Sequence, residues 1–344
     1  MKCVKVPLKQ LNDTRLKLME MDLMSMEYRI KAEKEFGYIP IKDDVDEFEI
    51  VDIELDKIKK QAHSFSELLE DELSNKEIEK LRTSFDTIGD IVILEIPDEL
   101  EDKKFKIGDA ALKFTKRRSI FMKKSAVKGT TRVRELEFLA GIDDSVTIHK
   151  EHGARLKLDV REVYFSPRLA TERKRVMESV MDNEKILDMF CGIGPFPIVI
   201  ARNKKVDITA VDINKKAIYY LDENIKLNKL KGTITSYCGD IGKVSHAFKL
   251  KFDRIIMNLP GLAYTFLDVA VNLIEDGGII NYYEFSDTYD QGIKRLNNTC
   301  RKFEKEVEII NTRKVKSTSP GEWHIAIDGK IFDKKKIIKG PDGI

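Results

Sequence analysis

The residues with the clearest chemical potential lie in the loop Asp188-Met-Phe-Cys-Gly-Ile-Gly-Pro195, which follows the strand-like segment KILDMF and opens a helix. Gly192 and Gly194 let the backbone approach a ligand closely, and a helix N-terminus favours a polar ligand group. The loop lacks the third glycine of G-x-G-x-x-G, which weakens the case for a pyrophosphate. Asp188 ahead of the glycines points the same way: a carboxylate repels a diphosphate and attracts a sulfonium or ammonium group. Asp212 ends the next strand, where a carboxylate can accept both hydroxyls of a ribose. Asp240 ends the third strand, placed to hydrogen-bond an adenine amine, and Phe190 lies inside the loop. Acids at the ends of three consecutive strands narrow the ligand from any nucleotide to S-adenosylmethionine. A plain βα turn or a nicotinamide site is the alternative. Cys191 reads as a small packing residue, with a nucleophilic role as the other option.

A second group of residues would face a substrate. The fourth strand of the series ends Asn258-Leu259-Pro260-Gly261, a stiff rim with free carbonyls suited to the N–H edge of a base. A simple strand-end turn would look the same. Val163–Arg173, VYFSPRLATER, precedes the first strand and offers Tyr164, Arg168, Glu172 and Arg173. From spacing alone Glu172 is an ordinary solvated charge on a helix. Lys116–Arg134 carries eight basic residues and no acid, with an Ile-Phe-Met patch inside it. It is either a solvated face or a phosphate-backbone contact that includes Lys128 and Arg134, and the missing counter-charge favours the second.

These residues need elements to hold them. From about Arg161 strands and helices alternate: KILDMF, DITAVDI, TITSYC, FDRIIMNLP and GIINYYEF read as strands with helices between. Helices are expected over Lys215–Leu227, over Thr265–Glu275 ending at Gly277–Gly278, and from about Tyr289. EVEIINT and EWHIAID leave no room for a helix between them and should pair antiparallel. Repeated βα units imply a parallel sheet with helices on both faces. The fold expected is α/β, a C-terminal Rossmann-like domain of the class I methyltransferase type with a seven-strand mixed sheet over 161–344. Two smaller α/β or α+β domains, 1–60 and 61–160, would precede it. The first shows the strand-like KCVKVP and YIPIK and ends in Lys42–Lys57, with eight acids against two lysines. The second opens with a helical linker, Ser64 to about Arg82, which Ser64 or Ser66 would cap. One strand over Ile88–Pro97 follows, then Val146–Val160 as a β-hairpin turning at His152–Gly153.

Bulk properties set the frame. At 344 residues the chain suggests two or three domains, and 42% apolar residues suffice for their cores. A net charge of +2 gives no global field, so the local charge blocks say more about partners. The four cysteines are scattered without a C-x-x-C pair, so neither a metal site nor a disulfide framework is expected. Neither a signal peptide nor a membrane span is read, and a reduced, cytoplasmic location is the expectation.

The quoted segments together resemble one family closely. RVRELEFLAG (132–141), TIHKEHG (147–153), VYFSPRLATER (163–173), DMFCGIGPF (188–196), AVDIN (210–214), ENIKLNKL (223–230) and IIMNLP (255–260) are similar, in order and spacing, to the archaeal and eukaryotic tRNA (guanine-37-N1)-methyltransferases. The first 60 residues match only weakly, as expected for a small module that reads tRNA shape. Cys191 stands where the family more often has alanine, and Pro197 where it has serine. Neither removes a chemical group that the reaction needs. The resemblance implies S-adenosylmethionine as methyl donor and tRNA as partner; a monomer is the expectation for the assembly. The resemblance also implies Glu172 as general base and Arg132 as the donor that stabilises charge on O6. Asn258 and the Pro260 backbone would hold the base edge, Tyr164 and Arg168 would help form the pocket, and Arg173 would steady the loop. Lys116–Lys128 and Arg134 would grip phosphates. The basic tail Lys330–Lys339 is, on its sequence, either a further tRNA contact or a disordered end.

Rival readings stay open. A wyosine-pathway aminocarboxypropyl transferase would use the same donor to move a different group, and the N-L-P motif argues against it. A bifunctional enzyme that also methylates a wyosine precursor fits the same residues. A non-catalytic tRNA-binding protein is the third, opposed by the intact Asp188, Asp212, Glu172 and Asn258. A knotted methyltransferase is excluded by the βα order.

Overall fold

The computed structural model describes residues 1–58, 62–124, 134–319 and 321–334. It divides into two compact units, Met1–His63 and Ser64–Ile344.

In the first unit the apolar-rich KCVKVP, with Cys3, Val4 and Val6 buried, forms β1 (Lys2–Pro7), followed by α1 (Leu11–Glu20), β2 (Lys31–Glu33), β3 (Phe36–Pro40) and β4 (Glu49–Asp52). The strands pair antiparallel in the order β2-β3-β1-β4. Val4, Val6, Leu18, Ile39 and Ile41 form its core.

The second unit begins with a short 3-10 turn, Phe65–Leu69, and α2 (Asn75–Lys80). The linker is therefore two short pieces rather than one helix. Ser64 Oγ accepts from the Ser66 amide, and Ser74 with Glu77 makes a reciprocal cap on α2. The strand expected over Ile88–Pro97 is instead a hairpin, β5 (Asp86–Ile88) and β6 (Ile91–Leu94). The break falls at Gly89, whose φ is 58°. That glycine is obligatory there, since a Cβ would stand 2.1 Å from Thr147 Oγ1. Then come α3 (Lys104–Thr115), β7 (Ser119–Lys123) and β8 (Leu136–Gly141), giving a sheet ordered β5-β6-β7-β8 with β6 and β7 parallel. The Ile-Phe-Met patch of the basic run is the buried centre of β7.

The hairpin of β9 (Val146–Glu151) and β10 (Ala154–Asp159) forms as the sequence indicates, with His152 and Gly153 both at positive φ. The α/β series follows: α4 (Ala170–Ser179), β11 (Lys185–Asp188), α5 (Pro195–Asn203), β12 (Asp207–Asp212), α6 (Lys215–Leu227), β13 (Thr233–Cys238), α7 (Ile241–Val244), β14 (Phe252–Met257), α8 (Leu267–Leu273), β15 (Ile274–Ser286), α9 (Asp290–Lys302), β16 (Lys305–Ser319) and β17 (Glu322–Asp333). They build a seven-stranded sheet ordered β13-β12-β11-β14-β15-β17-β16. The first five strands in that order pair parallel, and β17 runs antiparallel to both neighbours. The helix expected to reach Glu275 stops at Leu273, because Ile274 already pairs with Phe252. Gly277, with φ 78°, lies where the register shifts. Strand order reverses between β11 and β14, the place where open α/β sheets bind ligands beyond their carboxyl ends.

Candidate active site

A cleft opens at that switch point. Tyr164, Phe190, Gly192, Asp212, Asp240 and Asn258 all line it, together with Arg173 and Asn214. The strand ends explain the gathering. Asp212 closes β12, Asp240 caps α7 just after β13, and Asn258 follows β14.

The glycine loop is organised by carboxylates. Asp212 Oδ2 accepts the Gly192 amide at 2.7 Å, and its Oδ1 accepts the Asn214 amide at 2.8 Å. Asp188 is buried beneath the loop and accepts the Phe190 amide at 3.2 Å. Burial pushes the Asp188 carboxyl up to about 8; the Phe190 amide opposes the shift and nearby Asp212 adds to it. Burial also raises Asp212, against the pull of amides from Asn214, Gly192 and Ile213. Burial raises the Cys191 thiol well above its ordinary value, which suits a packing residue and not a thiolate nucleophile. The two glycines differ in purpose. A Cβ on Gly194 (φ 83°) would run into Leu221 Cδ1 at 2.3 Å. One on Gly192 (φ 54°) meets nothing closer than Tyr164 O at 4.0 Å. Gly194 thus serves packing, while Gly192 leaves space at the cleft wall.

That space fits a nucleoside carrying a cation. Half-buried Asp212 and the cap Asp240 supply acceptors, and Ile213, Ile241, Leu262 and Phe266 supply apolar walls. Phe190 meets Phe266 edge to face, 5.3 Å between ring centres. Asp188 itself does not line the cleft; its contact is with the loop backbone.

The substrate-side residues separate into groups. Arg173 is buried and forks onto Glu151 with two 2.5 Å hydrogen bonds, while its Nη2 donates to Ser166 O at 3.0 Å. It thereby ties α4 to β9 and to the segment bearing Tyr164. Arg134 lies 5.8 Å from the Tyr164 ring centre, and its buried Nε has no hydrogen-bond partner among the described residues. Arg168 turns away from the cleft and pairs with Asp86 at 2.6 Å. Pro260 is buried behind the Asn258 rim and is not a cleft-lining residue. Arg132 and Lys128 lie outside the described residues, as do Lys335–Lys339 of the basic tail.

Glu172 is not on a solvated face: it is buried, at 1% exposure. Its Oε1 accepts Arg175 Nη2 at 2.7 Å and the Tyr283 hydroxyl at 2.8 Å. Arg313 Nε stands 3.5 Å from Oε2. These three partners, and Asn214 at the α6 cap, are site residues that the sequence reading missed. For Asn214 a signal existed in Asp212-x-Asn, a strand-end acid followed by a helix cap. Tyr283 and Arg313 come from strands more than a hundred residues away, and no local pattern marks them.

The basic run is also less bare than its sequence suggests. Arg118 pairs with Asp90 and Asp144, Lys123 with Asp86 and Glu95, and Lys124 with Glu101 and Glu137. The counter-charges come from strands, turns and loops outside the run rather than from within it. No helix among the described residues is long and apolar enough to cross a membrane.

Comparison with known proteins agrees with this arrangement. Residues 147–310 match the TRM5/TYW2 methyltransferase domain, 65–145 the TYW2 N-terminal domain and 3–49 the tRNA methyltransferase 5 N-terminal domain. The chain is 42% identical over 333 residues to the tRNA (guanine(37)-N(1))-methyltransferase Trm5b of Pyrococcus abyssi, covering 95% of this chain and 98% of that one. A solved complex of aTrm5 and tRNALeu superposes with a TM-score of 0.86 at 40% identity, over 96% of this chain and 99% of that one. The tRNA(Phe) (4-demethylwyosine(37)-C(7)) aminocarboxypropyltransferase of Methanocaldococcus jannaschii is 34% identical, over 72% of this chain and 97% of its own. With near-complete mutual coverage at that first identity, the chain belongs to the tRNA (guanine(37)-N(1))-methyltransferase family.

Proposed function

We propose that this protein transfers a methyl group from S-adenosylmethionine to N1 of the guanosine at position 37 of tRNA. The observation that carries the reading is one cleft joining Asp212 and Asp240 to Tyr164 and Asn258 at the sheet's switch point, in a chain of this family. Higher identity over nearly the whole chain favours methyl transfer over aminocarboxypropyl transfer, since the match to the latter's enzyme is weaker and shorter.

The donor, when bound, supplies an electrophilic methyl on a sulfonium. The chain's residues would do the rest. Asp212 accepts the ribose hydroxyls and Asp240 the adenine amine, with Phe190, Gly192, Gly194 and Asp188 shaping the loop. Guanine N1 carries a proton near neutral pH and is a poor nucleophile until it leaves. Glu172 takes that proton as general base. The charge that then builds on O6 is held by Arg132 through a charge-assisted hydrogen bond. Asn258 and the Pro260 backbone hold the base edge, and Tyr164 packs the pocket. Arg173, locked on Glu151, fixes the segment that carries Tyr164. The target base must leave its stack to reach the cleft. Arg134, with Lys116, Arg117 and Lys128 of the basic run, grips phosphates, while Arg118, Lys123, Lys124 and Arg168 must first exchange their carboxylate partners for RNA. The site requires no metal, and the cytoplasm is the compartment proposed.

Labelled donor and tRNA transcripts with G or A at position 37 test the reading. Transfer to the G37 transcript alone, with the label on N1 and a mass gain of one methyl, is the expected result. A product carrying the larger aminocarboxypropyl group would overturn it. Glu172→Gln should slow single turnover by roughly 10²-fold or more while donor affinity is kept, the range for a lost general base.

A further inference from the structure

The surroundings of Glu172 carry a deeper reading, which rests on its role as base. Its carboxylate faces Arg175 of its own helix α4, Tyr283 of β15 and Arg313 of β16. Arg175 is shared. Its Nη2 serves Glu172 Oε1, and its Nη1 donates to Asp328 Oδ2 of β17 at 2.5 Å. Asp328 is itself fixed by Asn281 at 2.7 Å and Asn311 at 3.1 Å. The His324 ring lies 5.4 Å from that of Tyr283 and is a further titratable neighbour. The two carboxylate oxygens are not equivalent. Oε1 receives the short bonds from Tyr283 and Arg175 Nη2. Among the described residues Oε2 receives longer contacts, Arg175 Nε at 3.1 Å and Arg313 at 3.5 Å. The register adds a location. Met257, the last residue of β14, pairs with Tyr282, so Tyr283 and Asn258 are the residues that follow the last pair on each side.

We propose that Tyr283, Arg175 and Asp328 are positioning residues for Glu172. Tyr283 and Arg175 anchor Oε1, so that Oε2 is the oxygen that takes the guanine N1 proton. Asp328 holds the other face of the Arg175 guanidinium, so that the arginine is shared between two carboxylates. In the step itself the N1–H bond breaks and an Oε2–H bond forms, its electron pair staying on N1. That pair bonds the methyl carbon as the carbon–sulfur bond breaks, with its electrons returning to sulfur. The proton then passes from Glu172 to solvent. Burial and the charges of Glu172 and Asp328 raise the Tyr283 hydroxyl well above its ordinary value, so it stays protonated and acts as a donor throughout.

The test is single turnover of the full chain with saturating labelled donor and G37 tRNA transcript, followed from about pH 5 to 9. Tyr283→Phe removes a donor to the carboxylate. The plateau rate should fall roughly tenfold and the acid limb should move to higher pH by about half a unit to one unit. Asp328→Asn leaves the whole Arg175 charge on Glu172, so its acid limb should move to lower pH. Donor and tRNA affinities should hold in both variants. Limbs displaced in opposite directions are not expected from a purely structural role. Folded variants whose limbs coincide with the parent's, alongside a slow Glu172→Gln, overturn the clamp alone. Full turnover in Glu172→Gln overturns the base and the clamp together. If Asp328→Asn fails to fold, the near-isosteric Tyr283→Phe decides by itself.

Discussion

At the scale of residues, the site is a balance between burial and backbone donors. Asp188 illustrates it. The unfolded chain's carboxyl titrates near 3.9, while burial pushes the folded one up to about 8. Between about pH 4 and pH 8 the unfolded chain releases a proton that the folded chain keeps, so stability falls as pH rises through that window. Below about pH 4 both states are protonated and the effect is gone. Asp188→Asn keeps the acceptor for the Phe190 amide without this penalty. In the ligand-free protein its melting temperature should therefore exceed the parent's by several degrees at pH 8. The gap should close toward pH 4. A difference that stays constant across the range would refute the buried carboxyl. The acids at the strand ends were legible because a strand end is a local signal, and Asp212 and Asp240 do line the cleft. Glu172 was misjudged from spacing because its burial is imposed by strands remote in sequence. The pairing of Arg168 with Asp86 was hidden for the same reason, since 82 residues separate the partners.

At the scale of elements, the parts that follow periodicity are the ones the sequence specifies. The terminal antiparallel pair, the β9–β10 hairpin and the βα order all follow from apolar spacing and turn chemistry. The departures sit where a single glycine outweighs the pattern. Gly89 splits one apolar run into two strands, and Gly277 lies in the segment where β15 replaces the expected helix end. The segment ENIKLNKL gains a physical meaning here. Asn224 of α6 accepts the Lys157 amide at 2.6 Å and donates to Lys157 O and Ile193 O. Asn228 repeats the exchange with Arg155 one turn later, accepting at 2.9 Å and donating at 2.8 Å. Two asparagines four apart therefore pair the edge of β10 with a helix instead of another strand, and one also holds the glycine loop. Asn224→Leu strands the Lys157 amide and two carbonyls in a buried setting. The expected cost is about 2–4 kcal/mol from unmet backbone groups, read as a lower urea midpoint at unchanged slope. Donor affinity should fall with it, because Ile193 O loses its anchor. An unchanged midpoint would mean that water replaces the side chain.

At the scale of the whole molecule, the two units carry different charge. Residues 1–63 hold 12 Lys and Arg against 14 Asp and Glu, so the first unit is slightly acidic. Several of its lysines are already committed, Lys2 to Asp44, Lys5 to Glu49 and Lys17 to Glu47. A surface of that kind is a poor phosphate-binding face, and a role in reading tRNA shape must rest on other contacts. The unit has its own sheet and core, so its removal leaves the cores of the second unit intact. A chain comprising residues 64–344 should therefore stay folded by circular dichroism and bind donor with the parent's affinity. If the first unit reads tRNA shape, the full chain should methylate intact tRNA faster than an anticodon stem–loop, and the shortened chain should treat the two alike. The slope of log affinity against log salt for intact tRNA should change by less than about one phosphate contact, because few of the ionic contacts would be lost. A shortened chain that still prefers intact tRNA would place the shape reading in the second unit. A slope that drops by several contacts would show that the lysines of the first unit leave their acidic partners for RNA.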